Sequence, residues 1–369
     1  MGIVIFIIVL LVLVVVHELG HFFAAKITGM KVEEFGVGYP PRLWGKKFGQ
    51  TLYSINWLPL GGFVKIKGED GDVIATDQSQ EVKGNSFTDK NHFAQLFVLV
   101  AGVVMNMVLA YVLLSTVLMM GIPRALYGED IAKAESTQLV VAGVLPGSPA
   151  ESAGLLQGDI ITKAFAGDAE FSSVKVEDFI TFINATESGE PVALSLSRND
   201  EAVMISAIPA EGVIESDVNK KALGVSLATV GVVKLSFIDA FVEGFRYTTS
   251  LTQMVFVGLI EFFASIFTFS ADLSQVAGPV GIAGTVGDAQ EQGATSLLFI
   301  AALISINLAI INLLPFPALD GGRIVFVLYE MISRRKVSGN VAMLANGVGF
   351  VLLIALMVVV TISDIGKLF

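Results

Sequence analysis

Residues 3–25 read IVIFIIVLLVLVVVHELGHFFAA, an apolar run whose only polar side chains are His17, Glu18 and His21. A helix rises about 1.5 Å per residue, so roughly 20 apolar residues cross a hydrocarbon core of about 30 Å, and this run is long enough. His17 and His21 lie four apart, so on a helix both imidazoles leave the same face, with Glu18 beside the first. That is a zinc-site spacing, although the same pattern also arises by chance on exposed helices. Two imidazoles and a carboxylate are costly inside a span unless they serve a function. The run therefore reads as hydrolytic metal chemistry at membrane depth. Its opening, Met1-Gly2-Ile3, carries none of the Lys or Arg of a secretory leader, so it reads as a retained span.

The remainder of the 369-residue chain supports a membrane reading: 54% of residues are hydrophobic, only 15% are charged, and mean hydropathy is +0.74. A net charge of -11 without a basic stripe excludes nucleic acid as a partner. There is no Cys, hence no disulfide framework, thiolate nucleophile or thiolate metal ligand, so metal ligands must come from His, Asp and Glu. Further spans are expected at 93–120, 296–314 and 341–362. Lys and Arg near the span ends place 26–92 and 334–336 on the cytoplasmic side, a parity that four spans satisfy. The stretch 248–269 is also apolar, but it contains Glu261 and would reverse that parity; it is expected to be an amphipathic or surface-lying helix.

Between the first two spans, 52–57 and 60–66 read as strand, turn and strand, either a hairpin dipping into the membrane or a small sheet on its face. After the second span, residues 144–155 (VLPGSPAESAGL) and Gly158-Asp159-Ile160-Ile161 read as turn, short helix and strand, similar to a PDZ domain of the circularly permuted bacterial kind, with Leu223-Gly224-Val225 as its carboxylate loop. In such domains a peptide end adds to a sheet edge; the alternative is a mere spacer. The expected fold is thus an α-helical polytopic membrane protein of four transmembrane helices, with a membrane-associated β-hairpin and an inserted extracytoplasmic α+β PDZ domain. Its expected divisions are 1–122 (with the hairpin loop at 30–90), 123–230, an amphipathic linker at 231–295, and 296–369.

Catalytic zinc takes three protein ligands and keeps one position open. The best third candidate is Asp320 in NLLPFPALDGG (312–322), at the inner end of the third span and so at the depth of His17 and His21. Asp320 could instead be a helix cap beside Arg323, with Gly321 and Gly322 as turn residues. Glu18 would then handle the proton of the attacking water. Pro315 and Pro317 must interrupt a continuous helix there.

The ordered set HELGH at 17–21, PLGGFVK at 59–65, Ala101-Gly102 with Asn106, the PDZ stretch, GPVGI at 278–282 and 312–322 resembles the site-2 protease family of intramembrane zinc metalloproteases, in its bacterial regulator of sigma-E protease branch. The resemblance covers nearly the whole chain. It implies zinc held by His17, His21 and Asp320, with Glu18 as catalytic base. It also implies that Asn312, together with Asn56, Gly61 and Gly62 of the hairpin, handles a substrate helix as it unwinds. Implied partners are single-span membrane proteins (anti-sigma factors and signal-peptide remnants, cut after a first protease), peptide C-termini at a gating PDZ domain, and lipid. The implied location is the bacterial cytoplasmic membrane. The chain departs from the branch in having room for one PDZ domain rather than two and in carrying Val103 where Pro is common. Two rival readings are a catalytically idle PDZ adaptor, and a membrane-anchored metalloprotease with a soluble site built on Glu69, Asp70 and Asp72.

Overall fold

The computed structural model describes residues 2–69, 84–126, 131, 134–198, 201–213, 220–268 and 277–367. Phe269 of the expected fifth apolar stretch, and Asp70 and Asp72 of the anchored-protease reading, lie outside the described residues. The chain divides into two compact units, one made of 1–117 with 237–369, the other of 118–236.

In the first unit the four expected spans are helices: α1 (Gly2–Ile27), α2 (His92–Met120), a third at Ala294–Leu313 and a fourth at Gly339–Gly366. Each is long and apolar enough to cross a membrane. Their outward faces carry large apolar side chains, among them Ile8, Val12, Val104, Leu344 and Val351, a surface suited to lipid rather than water. Between α1 and α2, strands β1 (Val32–Phe48) and β2 (Thr51–Ile66) correct the expected hairpin. Residues 52–56 and 62–66 do not pair with each other. Glu34 lies opposite both Lys65 and Leu52, and Val37 opposite both Gly62 and Ile55, so 32–37 is the inner strand between them. Residues 42–48 pair with 51–56, giving the order 42–48, 51–56, 32–37, 62–66. The physical reason is that Pro40 and Pro41 cannot donate to a ladder, which breaks β1 into two segments that take different partners. Leu43, Trp44, Phe48 and Trp57 are exposed on this sheet.

The second unit is built on a sheet in the order β3 (Ile122–Ala125), β9 (Val225–Val233), β4 (Glu135–Val144), β5 (Ile160–Ala166), β7 (Val192–Arg198), β8 (Glu201–Ala207), with β6 (Ala169–Phe171) beside β5. Alternation along β7 buries Val192, Leu194 and Leu196 against Leu139, Val141 and Ile161. The short helix α3 (Pro149–Ser152) is capped by Ser148, whose Oγ accepts from the Glu151 amide, and α4 (Val176–Ala185) closes the core with Phe179 and Ile183.

Back in the first unit, α5 (Phe237–Phe267) begins 11 residues before the apolar stretch read from sequence. Tyr247, Leu251, Val255 and Leu259 recur every four residues and pack on Ala110, Leu114, Ala302 and Ile306, so its inner stripe lies on the spans. Helix α6 (Pro279–Gln292) replaces part of the expected linker. Its N-terminal amide at Gly281 donates to Asp364 Oδ2 at 2.8 Å, a cap supplied from 83 residues away. The span at 294–313 is α7. It ends before Pro315, and a separate helix α8 (Asp320–Ser333) starts at the aspartate; the last span is α9.

Candidate metal centre

The two imidazoles of α1 meet α2 through glycine. A Cβ at Gly20 would lie 2.3 Å from the Ala101 carbonyl oxygen, so only glycine lets the helix backbones approach this closely. A Cβ at Gly102 would lie 2.3 Å from His21 Nε2 and 2.7 Å from His17 Nε2. Gly102 is therefore the floor beneath both ring nitrogens. His21 donates from Nδ1 to the Val98 carbonyl at 2.8 Å, which leaves its Nε2 with a lone pair aimed inward.

Asp320 reaches the same point from the far end of the chain. The turn 314–319 folds back on itself because Gly321 and Gly322 carry no Cβ; side chains there would meet the Leu314 and Phe316 carbonyl oxygens at 2.0 and 2.4 Å. From α9, Gly349 makes the same allowance for Pro317, and Asn346 Oδ1 accepts from the Ala318 amide. Arg323, one turn into α8, pairs with Glu69. Asp320 Oδ2 consequently lies 3.0 Å from His17 Nε2 and 3.3 Å from His21 Nε2, and the two Nε2 atoms are 3.0 Å apart. A tetrahedral zinc ion with ligands at about 2.0–2.1 Å has ligand-to-ligand edges of about 3.3 Å. The donor set, the inward Nε2 lone pair of His21 and the edge lengths thus fit zinc. His17, His21 and Asp320 form a three-donor group with the imidazoles buried and the carboxylate half-buried.

Glu18 is half-buried next to this group and accepts from the Val64 backbone amide. Gly62 lies beside it: a Cβ there would be 3.7 Å from Glu18 Cγ and 3.6 Å from Val15. Gly61 sits against Val14 and Tyr39 with φ of 142°, a conformation suited to glycine. The segment 62–66, an edge of the sheet, therefore runs along Glu18. Asn56 is not part of this cluster. It is buried in the sheet, where its Nδ2 donates to the Gly38 carbonyl at 3.1 Å. Asn312 is in the last turn of α7, directly before the Leu313 and Leu314 carbonyls on which Gly321 rests. Glu69, the described member of the anchored-protease set, is taken up by Arg323 rather than by the histidines. His92, the remaining histidine, stands 3.9 Å from Glu330. Nothing in the residues alone marks Val98 or Gly102 as neighbours of the imidazoles; the signal available is a small residue four positions from an Asn within an apolar run.

In the second unit, a groove of about 1060 Å³ is lined by Leu145, Phe179, Ile180, Ile183, Leu223 and Val225. Gly224, at φ of 78°, packs on Ser148, and the Leu145 amide donates to its carbonyl.

The family model described as peptidase family M50 matches residues 5–356. A protein of Clostridium perfringens named as a zinc metalloprotease is 37% identical over 354 residues, covering 96% of this chain and 95% of that protein. One of Nostoc, also named as a zinc metalloprotease, is 33% identical and covers 98% of this chain and 94% of its own. Zinc metalloprotease RasP of Oceanobacillus iheyensis is 28% identical, with 99% and 98% covered. Among solved structures, the PDZ domain of an SdrC-like protein from Listeria monocytogenes matches 24% of this chain and 85% of that chain, at 20% identity and a TM-score of 0.21.

Proposed function

Because this chain belongs to peptidase family M50 and is a zinc metalloprotease, we propose that it cuts peptide bonds within the membrane, in single-span proteins already trimmed by another protease. The observation that carries this reading is the convergence of His17, His21 and Asp320, drawn from α1 and α8 across 303 residues, among helices apolar enough to span a bilayer. On this reading 26–92 and 334–336 face the cytoplasm of a bacterium, the second unit lies on the opposite side, and the exposed apolar faces contact lipid. The idle-adaptor alternative is set aside by membership in a family of zinc metalloproteases.

The ligands would be the Nε2 atoms of His17 and His21 and a carboxylate oxygen of Asp320. Zinc, when bound, supplies a Lewis acid that polarises the scissile carbonyl and makes water more acidic. The chain's own residues do the rest. Glu18 takes the proton of the attacking water on its carboxylate and delivers it to the leaving nitrogen, held in place by the Val64 amide. A substrate helix hides its carbonyls in its own hydrogen bonds and must become extended before attack. The edge at 62–66, kept slim by Gly61 and Gly62, would pair with the extended segment where no water can, and Asn312 would hold it on the other side. Asn56 supports this edge indirectly, by joining strand segments. The groove of the second unit is of a size and apolar character to take a peptide C-terminus.

The test uses the purified full chain and a single-span reporter substrate. Glu18→Gln keeps zinc and loses cleavage, whereas Asp320→Ala loses zinc. Cleavage retained by the first variant, or zinc bound normally by the second, defeats the assignment.

A further inference from the structure

We infer that Asn106 is the positioning residue for His17: its side-chain carbonyl accepts the Nδ1 proton of that imidazole and thereby turns Nε2 toward the metal. The inference rests on the ligand set proposed above and extends it to the residues behind the ligands. Three positions on one face of α2, each four apart, meet the two imidazoles of α1. Val98 offers a carbonyl to His21 Nδ1, Gly102 leaves room beneath both Nε2 atoms, and Asn106 lies 3.3 Å from His17 Nδ1. The two histidines are thus treated alike, one by a backbone acceptor and the other by a side-chain amide.

The amide as placed presents Nδ2 to His17, and its Oδ1, fully buried, is without a hydrogen-bond partner. A half-turn of the amide exchanges the two atoms, which have nearly the same shape. Proton accounting selects the turned form. A ring that offers its Nε2 lone pair to a cation carries its proton on Nδ1, and that proton needs an acceptor. Oδ1 is one, and Nδ2 is not. The half-turn gives Oδ1 this partner and moves Nδ2 to the position the oxygen held, so it leaves one amide atom unpartnered either way and the ring proton decides. The helix turn that carries Asn106 is itself fixed from α7, where Ser305 Oγ donates to the Asn106 backbone carbonyl at 2.8 Å. Both residues are wholly buried. A carboxamide at this depth without a role would be costly, since water cannot reach it.

The experiment measures zinc affinity of the full chain in detergent by competition with a chelator, for wild type, Asn106→Leu, Asn106→Asp and Asp320→Ala. Leu is close in size and removes the acceptor; Asp keeps it. Asn106→Leu is expected to bind zinc about 10- to 100-fold more weakly, while Asn106→Asp retains wild-type affinity or exceeds it. Leu binding zinc as wild type does, or Asp losing as much as Leu, overturns the inference. If Asp320→Ala also binds as wild type, the ligand set itself falls, so the two failures are distinct. A second measurement needs no variant. With three histidines in the chain, ¹⁵N-histidine spectra of the zinc-loaded wild type are expected to show one buried imidazole, besides His21, protonated at Nδ1 and slow to exchange. Coordination of His17 through Nδ1, or fast exchange of its Nδ1 proton, overturns the inference irrespective of how the variants fold.

Discussion

Replacing Gly102 by Ala adds one methyl group and sets two effects of opposite sign against each other. In a helix interior the change is favourable by about 1 kcal/mol, because Ala loses less backbone freedom than Gly. The new Cβ, however, would sit 2.3 Å from His21 Nε2 and 2.7 Å from His17 Nε2, where ordinary contacts are 3.4–4 Å. The shortfall at His21 is about 1 Å. Metal sites tolerate departures of about 0.2 Å in ligand distance, so a displacement several times larger takes at least one imidazole off the ion. Retreat of α2 is opposed by Val98, Leu99 and Val103, all buried on its surface. The expected result is a zinc affinity reduced at least tenfold, a loss of about 1.4 kcal/mol or more, in a chain that, stripped of metal by chelator, unfolds at or above the wild-type temperature. Chelator competition and thermal unfolding of the detergent-solubilised chain measure the two quantities separately. Gly284→Ala is the control, since nothing stands within 4 Å of its Cβ, and it leaves zinc affinity unchanged. Gly102→Ala binding zinc within twofold of wild type would refute the reasoning.

Three further outcomes are expected. Gly20→Ala pushes a methyl to 2.3 Å from a backbone oxygen that cannot swing away, so it destabilises the metal-free chain by about 1–3 kcal/mol, in contrast to Gly102→Ala; thermal unfolding in chelator separates the two. Ile306→Ala, on α7 and wholly buried in a cluster with α2 and α5, costs about 2–5 kcal/mol in denaturant unfolding without weakening zinc binding in the folded fraction. In the second unit, Arg198 holds the buried Asp159 carboxyl below its usual range by two charged hydrogen bonds of 2.7 Å. A depressed pKa stabilises the folded state above the unfolded value, near 3.9, and that gain disappears as pH falls through the folded value. Asp159→Asn therefore speeds hydrogen exchange in β5 and β7 of the full chain near pH 7, and the difference from wild type closes as pH drops below about 4; a difference constant across that range would contradict the assignment.

The helices were legible because the signal is local and long: the ends of each apolar run fall within a few residues of the ends of an observed helix. His17, Glu18 and Asp320 stood out for the same reason, as polar groups where they are costly. The sheet was misread because its pairing is not local. Residues 52–57 and 60–66 alternate as strands should, but nothing in either stretch reveals that 32–37 lies between them. Helix α6, with three glycines in PVGIAGTVGDAQEQ, has too weak a pattern to announce itself, and its cap, Asp364, is 83 residues distant. Asn106 was visible as an amide in an apolar run and as one residue of the site-2 protease resemblance, without a role. What it faces required the crossing of α1 on α2, which depends on two glycines whose role shows only once the helices are placed together.

The distance of 303 residues between His17 and Asp320 also bears on how such an enzyme is made. On the reading proposed here, a nascent chain already inserted through its first two spans holds a pair of histidines and no hydrolytic capacity. The aspartate is translated 303 residues after His17, and the turn that aims it waits for Gly349 and Asn346 of α9. On the same reading an enzyme that cuts bilayer segments is born among newly made ones, and this layout withholds its activity until α9 has been made. Chains terminated before Asp320 would lack the third ligand for the same reason.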